Sequence, residues 1–403
     1  MRRDRRDYSA RCKLSQEQPL KFLSAIIDGM SKTQLRLPKL YDHRSKKVED
    51  NDRMYCNLNL VLVHRKDTIY STKSIGMFSP GACYDNTTNS MLSQLLFGLT
   101  TCSVIPPTVF IQVDNFAANK SYVFFATFGY LLKRQSAIKE FYISFMMPGH
   151  THCDVDAKFG NFSTYLKTTE CGSPTEMMDA FVEALHGEAY MQQTIYNFKE
   201  VLHPYCLNYH AVKSFYDFHI FLNEDGIPMV ENARHQLSET LLCGGRQDAN
   251  SFITKIFKKM PASDIKFRIV PPKLENLEKL PKVIPKWEKV ITAEAKSELL
   301  SLKTTIESYK GTPFTSLMAT IESKSVTCIL REQQALLNSQ SSTPPPRSAT
   351  TSKNLAETEE MMVQPVQRKN QVPTKSRVKR PTNAEPEETD SSTTRRNLKR
   401  KAQ

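Results

Sequence analysis

Apolar residues in this chain alternate between short unbroken runs and helical stripes. FLSAIID (22–28) is an apolar run that ends in an acid with Gly29 behind it, and it predicts a buried strand. LNLVLVH (58–64) and TIYSTKSIG (68–76) are β-rich runs parted by Arg65, Lys66 and Asp67, which predicts a hairpin. Thr87–Leu99 carries Met91, Leu92, Leu95, Leu96 and Leu99 at helical spacing, and Pro106-Pro107 bars its continuation. TVFIQVDN (108–115) is a second run ending in an acid; Lys120–Leu132 predicts an apolar helix with Lys133-Arg134 near its C-terminus. EFYISFMM (140–147) predicts another strand. The following helix starts at Asp154 or Val155 and shows Val155, Phe159, Phe162 and Leu166 on one side.

The predicted order is β-β-β-α-β-α-β-α. Three sequential strands followed by alternation imply an α/β fold with a mixed sheet and helices on both faces. SPTE (173–176) sets up a further helix, with Ser173 as cap, Pro174 in the first turn and Glu176 closing a capping box; it is expected to run in pieces to about Leu202. FYDFHIFLNEDGIPMVE (215–231) predicts a hairpin turning at Asn223–Gly226. The Pro- and Lys-rich stretch 262–289 is expected to be extended, and 292–309 and 314–337 to form amphipathic helices. From residue 340 the Ser/Thr/Pro/charge composition cannot bury a core and predicts a disordered basic tail.

Charge and cysteine content narrow the function classes. Lys and Arg number 55 against 42 Asp and Glu, a net +13, and residues 341–403 hold 13 against 7. The folded part is therefore basic by itself, which favours a polyanionic partner. Nine scattered cysteines without a CxxC pair fit reduced thiols in a cytosolic or nuclear protein. The N-terminus lacks a signal-peptide apolar region, and no apolar run reaches a membrane span. KSRVKR (375–380) and RRNLKRK (395–401) are two basic clusters that read as a nuclear-localisation signal or nucleic-acid arm. Their candidate contacts are Lys375, Arg377, Lys379, Arg380, Arg395, Arg396, Lys399, Arg400 and Lys401.

The densest chemistry lies in MPGHTHCDVDAKF (147–159), with two histidines, a cysteine and two aspartates within seven residues. His150, His152 and Cys153 crowd too closely for a zinc site, and no distant pair completes one. Acids at strand ends are the better lead. Asp28 and Asp114 each close an apolar run, and open α/β sheets place ligands at the C-terminal ends of strands. With Asp154 or Asp156 they would gather three carboxylates, an oxygen-rich set suited to Mg²⁺ or Mn²⁺. Two such ions can activate a water or 3′-hydroxyl for phosphodiester cleavage or strand transfer. Against this stand ordinary roles: a turn acid for Asp28, and helix caps for Asp114-Asn115 and Asp154.

Order and acid placement resemble the RNase H-like fold of retroviral integrases and DDE/D transposases, where the acids lie on the first strand, the fourth strand and a later helix. IIDGMSKTQLRLP (26–38), IQVDNFAANK (111–120) and FMMPGHTHCDVD (145–156) are similar to the IIDGMDQ…LP, LQxDN…ENKN and FLxVGHTHEDID pattern of a transposon-derived family of eukaryotic proteins. The resemblance spans roughly residues 7–235. It implies Asp28 and Asp114 as the first two metal acids and Asp156, or Asp154, as the third. His150 and His152 would contact phosphate, move protons or support a carboxylate, and Asn115 and Lys120 would touch nucleic acid. Ser31, Ala118 and Cys153 depart from the pattern. Residues 1–20 are expected as a basic lead-in, 21–170 as the RNase H-like core, 171–240 as a helix and hairpin accessory part, 241–339 as a Lys/Pro-rich helical segment and 340–403 as the tail. The expected function is a nuclear, metal-dependent DNA transferase, or a catalytically inactive DNA- or chromatin-binding relative. Expected partners are DNA and a second copy of the chain, with no membrane and no small-molecule cofactor.

Overall fold

A computed structural model describes residues 2–40, 48–65, 72–114, 120–146, 154–208, 212–233 and 252–341. The described residues belong to one compact unit. Asn115, His150, His152 and the two basic tail clusters lie outside the described residues.

The chain opens with helix α1 (Arg2–Glu17) and strand β1 (Phe22–Gly29), followed by short β2 (Arg36–Leu37), β3 (Met54–His64) and β4 (Thr72–Pro80). Helix α2 (Thr88–Thr100), β5 (Thr108–Val113), α3 (Tyr122–Arg134), β6 (Glu140–Phe145) and α4 (Asp154–Tyr165) then alternate. Next come α5 (Pro174–Leu185), β7 (Glu188–Met191), α6 (Phe198–Leu202), β8 (Asp217–Leu222), β9 (Pro228–Ala233) and β10 (Phe252–Lys255). Four helices follow: α7 (Leu280–Trp287), α8 (Ala293–Ser308), α9 (Phe314–Ser323) and α10 (Val326–Ser341).

Ten strands make one mixed sheet in the order β10-β9-β8-β6-β5-β1-β3-β4-β7, with β2 paired to β3. β3 runs antiparallel to β1 and to β4, whereas β5 runs parallel to β1 and β6 parallel to β5. The parallel centre explains the unbroken apolar runs: strands covered on both faces need apolar side chains on both sides. Side-chain alternation sorts them into two cores. Leu23, Ala25, Ile27, Val109 and Ile111 join Leu95, Leu99, Phe124 and Phe128 of α2 and α3 on one face. Ile26, Leu60 and Leu62 join Val155 and Phe162 of α4, Phe181 of α5 and Trp287 of α7 on the other.

Local signals act as the sequence implies. Thr87, Ser121 and Ser173 cap α2, α3 and α5 by accepting the backbone N–H three residues on, and Glu176 reaches back to accept from Gly172 N, one residue before the cap rather than from Ser173 N as a capping box would. Gly226, at φ +68°, turns the β8–β9 hairpin. Three expectations change. The basic lead-in is a sixteen-residue helix. The helical segment expected to reach Leu202 is cut by β7, because His186 takes a left-handed conformation and ends α5. KVIPKWEK is partly helical rather than extended: α7 tolerates Pro281 in its first turn and Pro285 within it, and buries Leu280, Ile284 and Trp287.

Candidate active site

Register brings the two strand-end acids together. In the parallel β1–β5 ladder Ile27 pairs with Val113, so Asp28 and Asp114 leave the sheet side by side at strand C-terminal ends. The Asp28 carboxylate receives a hydrogen bond from Gly29 N (2.7 Å). A side chain on Gly29 would meet the Asn59 amide oxygen at 2.7 Å, so the glycine admits Asn59 from β3 to the site. Asn59 Nδ2 in turn donates to Asn86 Oδ1 at 3.4 Å. Asp28, Asp114, Asn59, Asn86, Thr87 and Gln94 line an open cleft of about 210 Å³ beside the N-terminus of α2.

The electrostatics of Asp28 register two neighbouring carboxylates. Its carboxyl is pushed up to about 6, first by burial and then by the negative charges of Asp114 and Asp156, against the Gly29 N–H. Of the two acids in the first turn of α4, Asp156 is the one whose charge acts on Asp28. The three oxygens-only donors are the kind that hold a hard divalent cation. Among the described residues, however, no three His, Cys, Asp or Glu side chains lie close enough together to hold a metal ion as they stand. Asp114 and Asp156 each act on Asp28 by charge.

Asp154, two residues earlier, serves a different cluster. Its Oδ1 accepts from the Tyr8 hydroxyl (2.7 Å), and its Oδ2 lies 3.0 Å from His64 Nε2, which is also 2.7 Å from the Tyr8 oxygen. Burial disfavours charge on both partners; the pairing overrides it, lowering Asp154 and raising His64 to about 9. The Tyr8 hydroxyl is raised well above its usual range by burial and by its neighbours Cys12 and Asp154. These contacts tie α1 and the end of β3 to the start of α4. The sequence singled out neither Tyr8 nor His64; only proximity in the fold joins residues 8, 64 and 154.

Lys120 is buried rather than displayed to a nucleic acid. Its ammonium sits 4.2 Å from the centre of the Tyr216 ring and 5.2 Å from that of Phe145, and burial draws it down to about 8, opposed by Asp217. The candidate zinc residues His150, His152 and Cys153 are outside the described region. Cys206 is buried and its thiol donates to Leu202 O.

The described residues define a mixed α/β protein with an acid-lined cleft at the ends of its parallel strands. Residues 46–237, a little under half of the chain, match the model of a family described as a domain of unknown function, DUF7869. That span takes in Asp114, Asp154 and Asp156 and begins after Asp28. No curated protein and no solved structure matches the chain. No described helix is long and apolar enough to cross a membrane.

Proposed function

We propose that the chain is a transposable-element-derived DNA-processing protein with an RNase H-like, integrase-type core, acting through Asp28, Asp114 and Asp156. The observation that carries this reading is the charge coupling of three acids from β1, the end of β5 and the first turn of α4. β1 and β5 are the first and fourth long strands, an order that supports reading Asp28 and Asp114 by the integrase resemblance. The alternating order and the antiparallel β1-β3-β4 set beside parallel β5 and β6 support the same core.

The donor set fits Mg²⁺ or Mn²⁺ in its chemistry, because three carboxylates and neighbouring amide oxygens are hard ligands. When bound, such ions supply an activated water or 3′-hydroxyl and charge stabilisation at the phosphorus. The chain's own residues do the placing. Gly29 N–H fixes one oxygen of Asp28. Asn59 and Asn86 offer uncharged hydrogen bonds at the cleft wall. The N-terminus of α2, capped by Thr87, turns its positive dipole end toward the same cleft, where phosphate oxygens are stabilised. The basic tail, through Lys375–Arg380 and Arg395–Lys401, would add sequence-independent attraction to DNA and a nuclear address.

A second reading, a catalytically inactive nuclear DNA- or chromatin-binding protein, draws on Ser31, Ala118 and Cys153, where the similar family carries other residues. Mn²⁺-dependent nicking of supercoiled DNA separates the two. The proposed enzyme nicks, and Asp28→Asn and Asp114→Asn each abolish it while Asp154→Asn, if folded, retains it. Salt-dependent DNA binding with no nicking would establish the inactive reading. Equal nicking by wild type and both cleft variants would defeat the assignment of the acids.

A further inference from the structure

Beyond the acid-lined cleft, α2 runs past a second cavity of about 390 Å³, within the size range of small-ligand pockets. Gln94 lines both cavities, so they are separated by the thickness of one side chain. The second one is aromatic and polar, and none of the described residues lining it is charged. Phe97 and Tyr190 meet edge to face at 5.0 Å, and Tyr309, 43% exposed, also lines the cavity.

Two buried amides in its wall are half satisfied. Gln94 Nε2 donates to Gln192 Oε1 at 2.6 Å. Gln94 Oε1 and Gln192 Nε2 have no hydrogen-bond partner among the described residues, although the two side chains are only 2% and 8% exposed. Turning both amides over would exchange the atoms and still leave one acceptor and one donor spare. Buried polar atoms left unpaired are costly, and these two have almost no accessible surface, so a turn of either amide toward the cavity its residue lines is repaid by a ligand that supplies the missing partner. A phosphate or carboxylate finds no counter-charge here. An alkyl chain would leave the donor and acceptor unsatisfied. A flat, uncharged ring with a donor and an acceptor on one edge satisfies the amides and gives the aromatic side chains a surface to stack on.

We propose that this cavity receives an unpaired nucleobase from the strand whose backbone lies at Asp28 and Asp114, an inference that rests on the function proposed above. The shared Gln94 places the base pocket next to the backbone cleft, as an enzyme needs if it unstacks a nucleotide beside the bond it attacks. The pocket thereby selects single-stranded or locally opened DNA.

The test is fluorescence anisotropy of the full chain with a labelled single-stranded oligonucleotide, compared with an all-abasic strand of the same length, both in Ca²⁺. Base stacking on aromatic side chains contributes enough that the normal strand should bind about 10-fold more tightly. Tyr309→Ala and Gln192→Leu should each erase most of that preference and leave abasic binding unchanged. Tyr309→Phe should restore it, and melting temperatures should show the variants folded. Equal affinity of wild type for both strands overturns the base pocket and leaves the cleft reading standing. Failure to bind either strand sinks both. Tight binding of free adenosine or thymidine without binding of the oligonucleotide also overturns it, in favour of a small-molecule site.

Discussion

Two carboxylates in the first turn of α4, Asp154 and Asp156, sit two residues apart and lead opposite lives. Asp154 faces Tyr8 and His64, accepts hydrogen bonds from groups that favour its charge, and has its pKa lowered. Asp156 acts on Asp28 instead, and the charge it adds, with burial and Asp114, helps raise the Asp28 carboxyl to about 6. One turn of helix thus carries one acid whose charge its partners favour and another whose charge adds to the burden on Asp28. The first is what a fold uses to fasten an element; the second costs stability unless a cation or a proton arrives. Acids held together against repulsion are better explained by a site than by packing, which is why Asp28, Asp114 and Asp156, and not Asp154, carry the proposed chemistry.

The largest effect should come from breaking the cancelled cluster. His64→Ala leaves Asp154 and the Tyr8 hydroxyl without their cation, at a cost of about 2–3 kcal/mol; the half-exposed Asp154 carboxylate keeps it below the loss for a fully buried pair. Urea denaturation measures the loss, and limited proteolysis should release α1 from the variant before wild type. No change in either would mean that the cluster does not hold α1 in place.

The repelling cluster should respond in the opposite direction. Asp28 has a folded pKa above its unfolded value, so its stabilising contribution is complete below about pH 4 and is lost as pH rises through about 6. Above that pH the charged form burdens the fold by on the order of 3 kcal/mol. Asp28→Asn should therefore raise stability by about 2 kcal/mol at pH 8 without divalent cations, and by almost nothing at pH 4. Destabilisation at pH 8 would contradict the account.

Titration should set the two clusters further apart. His64 is also raised, to about 9, so its contribution is full below about pH 6.5 and fades as pH climbs through 9, while that of Asp154, lowered, is present above about pH 4 and lost in acid. Wild type should lose stability between pH 7 and 10 to a degree that His64→Ala does not. The smallest effects are within the acid cluster. Asp114→Asn should lower the Asp28 pKa more than Asp156→Asn does, since Asp114 is the stronger of the two like charges. Carboxyl NMR titration reads both; an unmoved Asp28 in either variant would remove that acid from the site.

The strand ends, the acids Asp28 and Asp114 and the α4 face of Val155, Phe159 and Phe162 were legible because apolar run length and helical spacing record burial directly. What escaped has a physical reason in each case. α1 docks through Tyr8, Arg11 and Ser15, polar groups that make hydrogen bonds in the interior, so no apolar stripe announces it. Four-residue β7 exists only because β4 offers it an edge. The prolines of α7 argue against helix locally, and burial of Trp287 outweighs them. That Asp154 pairs with His64, ninety residues away in the chain, could not be read from the helix start alone.

The central claim is that Asp28, Asp114 and Asp156 act as one cation site while Asp154 stands apart. Mn²⁺ binding followed by electron paramagnetic resonance at pH 6, together with calorimetric proton release, tests it most directly. Wild type and Asp154→Asn should bind Mn²⁺, with a proton expelled from Asp28 on binding, and Asp28→Asn and Asp114→Asn should bind at least 10-fold more weakly. Mn²⁺ binding that survives both substitutions unchanged, or is absent from wild type, would contradict the account.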